Sequence, residues 1–163
     1  MVDIISLNSK KSFGEDKNLE NLKQICKSEK VVIAYGHFSS IHPGHIRYLQ
    51  NAKDYGTKLI VVLIGDGNGD EGKKFPFTCR ERSTSLALLN ICDFIVELKD
   101  NELDLIIDYL SPSRLIFGTN YRNSKDENII KAIKTARRIN TSISYDSGET
   151  TYASTDLLKD SES

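Results

Sequence analysis

Short, unbroken apolar runs alternate along this chain with stretches of helical period. Lys30-Val31-Val32-Ile33-Ala34-Tyr35-Gly36 is a β-branched run closed by glycine, and it predicts a buried strand. Lys58–Gly65 is apolar almost throughout, the pattern of a strand covered on both faces in a parallel sheet. Phe94–Leu98, Arg114–Gly118 and the brief Ser142–Tyr145 bring the expected strands to five. Helices are expected between them. These are Leu19–Ser28, Ile46–Tyr55 with Ile46, Leu49 and Ala52 on one face, Arg80–Asn90, and Leu103–Leu110. Asp126–Asn140 follows as the longest, with Ile129, Ile130, Ala132 and Ile133 on its apolar side. Ser154 and Thr155 precede Asp156-Leu157-Leu158 and read as the N-cap region of a last helix. Residues 1–17 are polar and expected to be loosely held, which leaves one domain over 18–163.

Repeated βα units of this length predict an α/β fold: a Rossmann-like, doubly wound, five-stranded parallel sheet with helices on both faces and right-handed crossovers. Ligands in such sheets bind beyond the carboxyl ends of the strands, where strand order reverses. The loops Gly36–His45, Asp66–Lys74 and Gly118–Asn123 would open onto that edge. In the first of them, His42-Pro43-Gly44-His45 stands where a strand hands over to a helix. Free backbone N–H groups and the positive end of the helix dipole are expected to converge there, a place suited to phosphate. Two imidazoles add donors to the same spot, and Gly44 lets a ligand approach the backbone. The plainer alternative is a pair of surface histidines at an ordinary βα turn.

Composition narrows the class without naming it. At 163 residues and 39% apolar, the chain is long enough for one domain with a real core. Basic and acidic residues nearly cancel, 22 against 23, so no electrostatic case exists for nucleic-acid or membrane-surface binding. No apolar run approaches the roughly 18 residues of a membrane span, and the first residues lack a signal-peptide core; a cytoplasmic protein is expected. Cys26, Cys79 and Cys92 are odd in number and widely spaced, as for reduced thiols. Without a CxxC or Cys/His pair, no metal site is expected from them.

The segment Gly36-His37-Phe38-Ser39-Ser40-Ile41-His42-Pro43-Gly44-His45 resembles the signature loop GxFDxxHxGH of the HxGH nucleotidyltransferase superfamily. Lys58–Asp66, Lys73-Lys74, Glu81-Arg82, Cys92–Val96, Phe117–Tyr121 and Ala153-Ser154-Thr155 follow in an order that is similar to the small cytidylyltransferase-like branch. That branch includes glycerol-3-phosphate cytidylyltransferases and the adenylyltransferase domains of ADP-heptose synthesis enzymes, whose late STTxII segment Ala153–Leu158 resembles.

The resemblance implies roles. His42 and His45 would contact the triphosphate and stabilise the transition state, while Tyr35, Gly36, His37, Phe38 and Gly44 line the nucleotide; His37 is given no catalytic part. Lys73 or Lys74 would reach over the phosphates, Lys74 being counted with the catalytic groups; a solvated surface patch is the alternative. Arg82 would contact nucleotide, against the alternative of a helix-surface ion pair. Ser154 and Thr155 would meet phosphate rather than merely cap a helix. Gly118, Thr119 and Asn120 would read base and ribose, and Arg122 the acceptor's phosphate. The implied reaction moves CMP or AMP from CTP or ATP to a small phosphorylated sugar or polyol, with Mg²⁺ carried by the triphosphate and the chain paired as a homodimer. A non-catalytic nucleotide-binding module and one domain of a longer bifunctional enzyme are the alternatives. A class I aminoacyl-tRNA synthetase fragment shares the HxGH loop, but the chain's length and its lack of a KMSKS-like segment or basic face count against it. The chain departs from the signatures at Ser39, where an acidic residue is usual, and at Ala153 and Leu158.

Overall fold

The two most apolar runs form the middle of the sheet. β2 (Val31–Gly36) is buried at every residue and β3 (Lys58–Leu63) at all but its first. The computed structural model describes residues 1–7, 12–66, 77–99 and 102–146. Around the central pair lie β1 (Asp3–Ser6), β4 (Phe94–Glu97), β5 (Arg114–Phe117) and β6 (Ser142–Tyr145). The sheet has six strands in the order β1-β4-β3-β2-β5-β6, all parallel.

The sixth strand corrects the expected five. β1 lies within the stretch expected to be loosely held and pairs with β4 from Asp3↔Phe94 to Ser6↔Glu97. An edge strand needs few apolar positions, and Val2, Ile5 and Leu7 are buried here while Asp3 and Ser6 are exposed. That pattern is too short to stand out beside the polar residues that follow it.

Alternation along β2 divides two cores. Val31, Ile33 and Tyr35 join the face packed by α1 (Lys17–Ser28), α4 (Leu103–Leu110) and α5 (Glu127–Arg138). Val32 and Ala34 join the face packed by α2 (Pro43–Lys53) and α3 (Cys79–Leu88). α5 is not the longest helix, because α1 has the same 12 residues. Asp16 starts α1 ahead of its apolar pattern by accepting hydrogen bonds from the Asn18 and Leu19 amides, at 2.9 and 3.2 Å. No helix among the described residues is long and apolar enough to cross a membrane.

From β2 the chain winds outward through β3 to β4, then crosses back to lay β5 on the other side of β2. The order therefore reverses between β2 and β5, and a crevice is expected at their carboxyl ends. Tyr48 of α2 holds that crevice open. Its hydroxyl accepts from the Tyr35 amide at 3.3 Å and donates to the Ile116 carbonyl, standing between the two strands just past their last ladder pair.

Candidate active site

A cleft of about 290 Å³ lies at this reversal. Tyr35, Gly36, His37 and Phe38 line it from the end of β2, and His42, Gly44, His45 and Tyr48 from α2. Gly118, Thr119, Asn120 and Tyr121 close it beyond β5, and Asp146 beyond β6. Ten of the expected site residues thus meet in one place.

The two histidines are built into the helix start. His42 is the N-cap of α2, and its Nδ1 accepts from the Gly44 amide at 3.0 Å. The Nδ1 of His45 in turn accepts from the His42 amide at 3.3 Å, and the rings stack with centroids 3.9 Å apart. Because both Nδ1 atoms accept, the neutral rings carry their protons on Nε2. Burial pushes the pKa of His45 down to about 4, the neighbouring His42 and His37 rings adding to the effect and a backbone hydrogen bond at Ser40 opposing it. His45 is therefore a neutral Nε2–H donor at neutral pH.

This arrangement corrects one expectation. The first-turn amides of α2 are already partnered: Pro43 has none, Gly44 donates to the His42 ring, and the amides of His45 and Ile46 donate to the His42 carbonyl at 2.9 and 3.3 Å. His42 has taken up the helix's own donors and offers Nε2–H groups instead. The favourable end of the dipole remains.

Phe38 adopts a left-handed backbone, φ 50°, a strained setting for a side chain with a Cβ. Its buried ring stacks on Tyr48 at 6.3 Å and leans on His45 at 5.2 Å. A Cβ on Gly36 would come within 3.1 Å of that ring. Phe38 therefore braces His45 from behind. Ser39, in the usual acidic position, has its Oγ 3.3 Å from the His37 Nδ1.

Two expected residues lie outside the cleft. Arg82 is neither a surface ion pair nor part of the lining; it is 1% exposed. Its Nη1 donates to the His37 carbonyl at 2.9 Å, its Nε to the Phe77 carbonyl at 3.1 Å, and its Nη2 to Asp66 at 3.2 Å. The guanidinium fastens the histidine loop to β3's end and to the start of α3 from beneath. Arg122 is exposed, with its guanidinium 4.9 Å from the centre of the Tyr145 ring. Lys73, Lys74, Ser154 and Thr155 lie outside the described residues.

Sequence reasoning missed Tyr48 and Asp146, and gave Tyr121, within the Phe117–Tyr121 segment, no role of its own. Tyr48 stands three residues after His45, so helical spacing puts it beside that ring. Asp146 is the first residue beyond β6, at the edge where parallel sheets bind ligands. No group of three or more potential ligands among the described residues is arranged to hold a metal. Mg²⁺ takes oxygen ligands, and this lining offers imidazoles and a single carboxylate. The described residues do not fit a protein-built Mg²⁺ site.

Residues 33–156 match the protein family described as Cytidylyltransferase-like. The chain is 36% identical over 129 residues to the bifunctional protein HldE of Campylobacter fetus, covering 76% of this chain and 28% of that protein. It is 34% identical over 112 residues to the bifunctional protein HldE of Blochmanniella pennsylvanica, covering 66% and 24%. The chain thus spans about a quarter of these relatives' length. In fold it is similar to the crystal structure of a lipopolysaccharide core biosynthesis protein from Thermoplasma volcanium, with a TM-score of 0.60 and 23% identity over 75% of this chain and 99% of that one.

Proposed function

The chain belongs to the cytidylyltransferase-like family of nucleotidyltransferases, and we propose that it transfers a nucleoside monophosphate from CTP or ATP to a small phosphorylated sugar or polyol. The observation that supports this most is the stacked His42–His45 pair, two ring donors at a helix N-terminus inside the strand-reversal cleft. In the reaction, a phosphate oxygen of the acceptor attacks the α-phosphorus. The bond from the α-phosphorus to the bridging oxygen breaks, and pyrophosphate leaves with that electron pair. The protein aligns the groups and meets the charge that shifts onto the leaving oxygens. The Nε2–H of His45 is suited to that charge, and a donor fixed beforehand by Phe38 and the His42 amide needs no reorganisation as the charge grows.

No lysine or arginine lines the cleft among the described residues. In this reading Lys73 or Lys74 supplies the missing positive charge, and Mg²⁺ enters only as the counter-ion of the triphosphate. The resemblance of Ala153–Leu158 to the late segment of ADP-heptose synthesis enzymes lends support to a sugar phosphate as acceptor. The test is pyrophosphate release from CTP or ATP in the presence of a panel of sugar and polyol phosphates. Release that depends on one acceptor is expected. Nucleotide binding with no release from any pairing would favour the non-catalytic module.

A further inference from the structure

Asp146 is the one carboxylate among the cleft's described lining residues, and no signature motif contains it. Its place follows from the strand register. Ala34 pairs with Ile116 between β2 and β5, and Phe117 pairs with Tyr145 between β5 and β6. Two residues beyond the first pair and one beyond the second, Gly36, Gly118 and Asp146 fall in one row across three neighbouring strands. The Asp146 amide donates to the Phe117 carbonyl at 2.8 Å, which ties the row's far end to β5. The Tyr48 hydroxyl parts β2 from β5 just ahead of Gly36 and Gly118, so the row is longer than the ~10 Å that two paired strand spacings would give. The two glycines bring no side chain of their own to the row, the Phe38 ring and the Asn120 amide stand over them, and the aspartate is the carboxylate at its far end.

The ends of the row differ in charge. Beside Gly36 stand the His42 and His45 donors at the helix N-terminus; at the other end stands a carboxylate. Its charge reaches into the cleft: burial is the main reason the Tyr48 hydroxyl titrates above its ordinary value, and Asp146 adds to the shift. A carboxylate is an acceptor only and repels phosphate. Whatever meets Asp146 is therefore a hydrogen-bond donor held away from the phosphates. On a nucleoside triphosphate the donors so placed are the ribose hydroxyls and an exocyclic base amine.

We propose that Asp146 is a specificity residue whose carboxylate accepts a hydrogen bond from the nucleoside half of the bound nucleotide and so fixes which way round that nucleotide lies. The proposal rests on the nucleotide-binding reading above and adds to it the group that orients the substrate. A hydrogen bond to a charged partner corresponds to about 10- to 100-fold in affinity.

The experiment measures dissociation constants by calorimetry, with Mg²⁺ and no acceptor, for the wild type and Asp146→Ala. The probes are ATP, CTP, GTP, UTP, the 2′-deoxy and 3′-deoxy forms of the tightest of these, and inorganic tripolyphosphate. The wild type is expected to lose about tenfold or more either on removal of one hydroxyl or on exchange of an amino base for a keto base. The arm that shows the loss identifies the donor. In Asp146→Ala that discrimination disappears, while tripolyphosphate binds as in the wild type or more tightly. Discrimination that persists in Asp146→Ala, or a wild type indifferent to every hydroxyl and base, overturns the proposal. Parallel loss of tripolyphosphate binding overturns it too, by making Asp146 a residue of the fold. A wild type that binds tripolyphosphate but none of the four nucleotides fails the functional reading itself, and the proposal with it.

Discussion

Replacing Arg82 by methionine separates a structural clamp from a nucleotide ligand. Methionine keeps most of the side chain's length and removes every donor. The carbonyls of His37 and Phe77 then lose a charged partner each. Hydrogen bonds to charged groups contribute about 1.5–3 kcal/mol, so the pair comes to about 3–6 kcal/mol. The Asp66 contact adds little, because that carboxylate is 58% exposed and stays solvated after the change. The buried guanidinium carries its own desolvation penalty, which methionine relieves. The net expectation is a loss of about 2–4 kcal/mol, or about 4–16 °C in Tm for a domain of this size. Urea unfolding followed by far-ultraviolet circular dichroism measures it. Arg82→Lys should fall between, since a compact ammonium meets one carbonyl where the planar fork meets two. If Arg82→Met unfolds within about 0.5 kcal/mol of wild type while nucleotide binding weakens, the clamp is refuted and Arg82 returns to the nucleotide.

Tyr48→Phe leaves the Tyr35 amide and the Ile116 carbonyl buried without their shared hydroxyl, so a loss of about 2–3 kcal/mol is expected by urea unfolding; a neutral result would mean that β2 and β5 close up and pair directly. Gly118→Ala brings a Cβ within 2.7 Å of the Asn120 Oδ1, the end of a flexible side chain. Tm should therefore hardly change while calorimetric nucleotide affinity falls, and unchanged affinity would take Asn120 out of the nucleotide's path. His45 titrates near 4 in the folded chain against an ordinary value of 6.5, so between those values the unfolded chain binds more protons. Its share of stability is complete above 6.5 and is lost as pH falls toward 4; urea midpoints across that range should slope less steeply in His45→Gln, and equal slopes would contradict the burial effect.

The central sheet is legible in the sequence because β2 and β3 are apolar at nearly every position, which a strand covered on both faces demands and an amphipathic helix or a loop does not produce. β1 is not legible, because an edge strand of four residues with a single buried position carries almost no signal. The start of α2 lies three residues ahead of its expected place for a different reason. Its first turn is set by His42 and Pro43, not by apolar spacing, so periodicity finds it only at Ile46. The same cap explains why the free amides expected at the phosphate site are engaged: whether an N-cap side chain turns inward is settled by its rotamer, which spacing cannot show. Arg82 falls in the expected neighbourhood, but its burial and direction depend on where β3, α3 and the histidine loop meet. Asp146 belongs to no motif, and only the register of β6 against β5 puts it beside Gly118.

The central claim is that the braced His45 donor acts on charge that develops during nucleotidyl transfer. It is tested by comparing kcat with the directly measured nucleotide dissociation constant in wild type and His45→Ala, using the nucleotide and acceptor that give pyrophosphate release. Loss of a donor aimed at developing charge should lower kcat about 10²- to 10³-fold while the dissociation constant stays within about threefold. A His45→Ala protein that turns over at the wild-type rate, or one whose whole defect lies in nucleotide binding, would contradict the account.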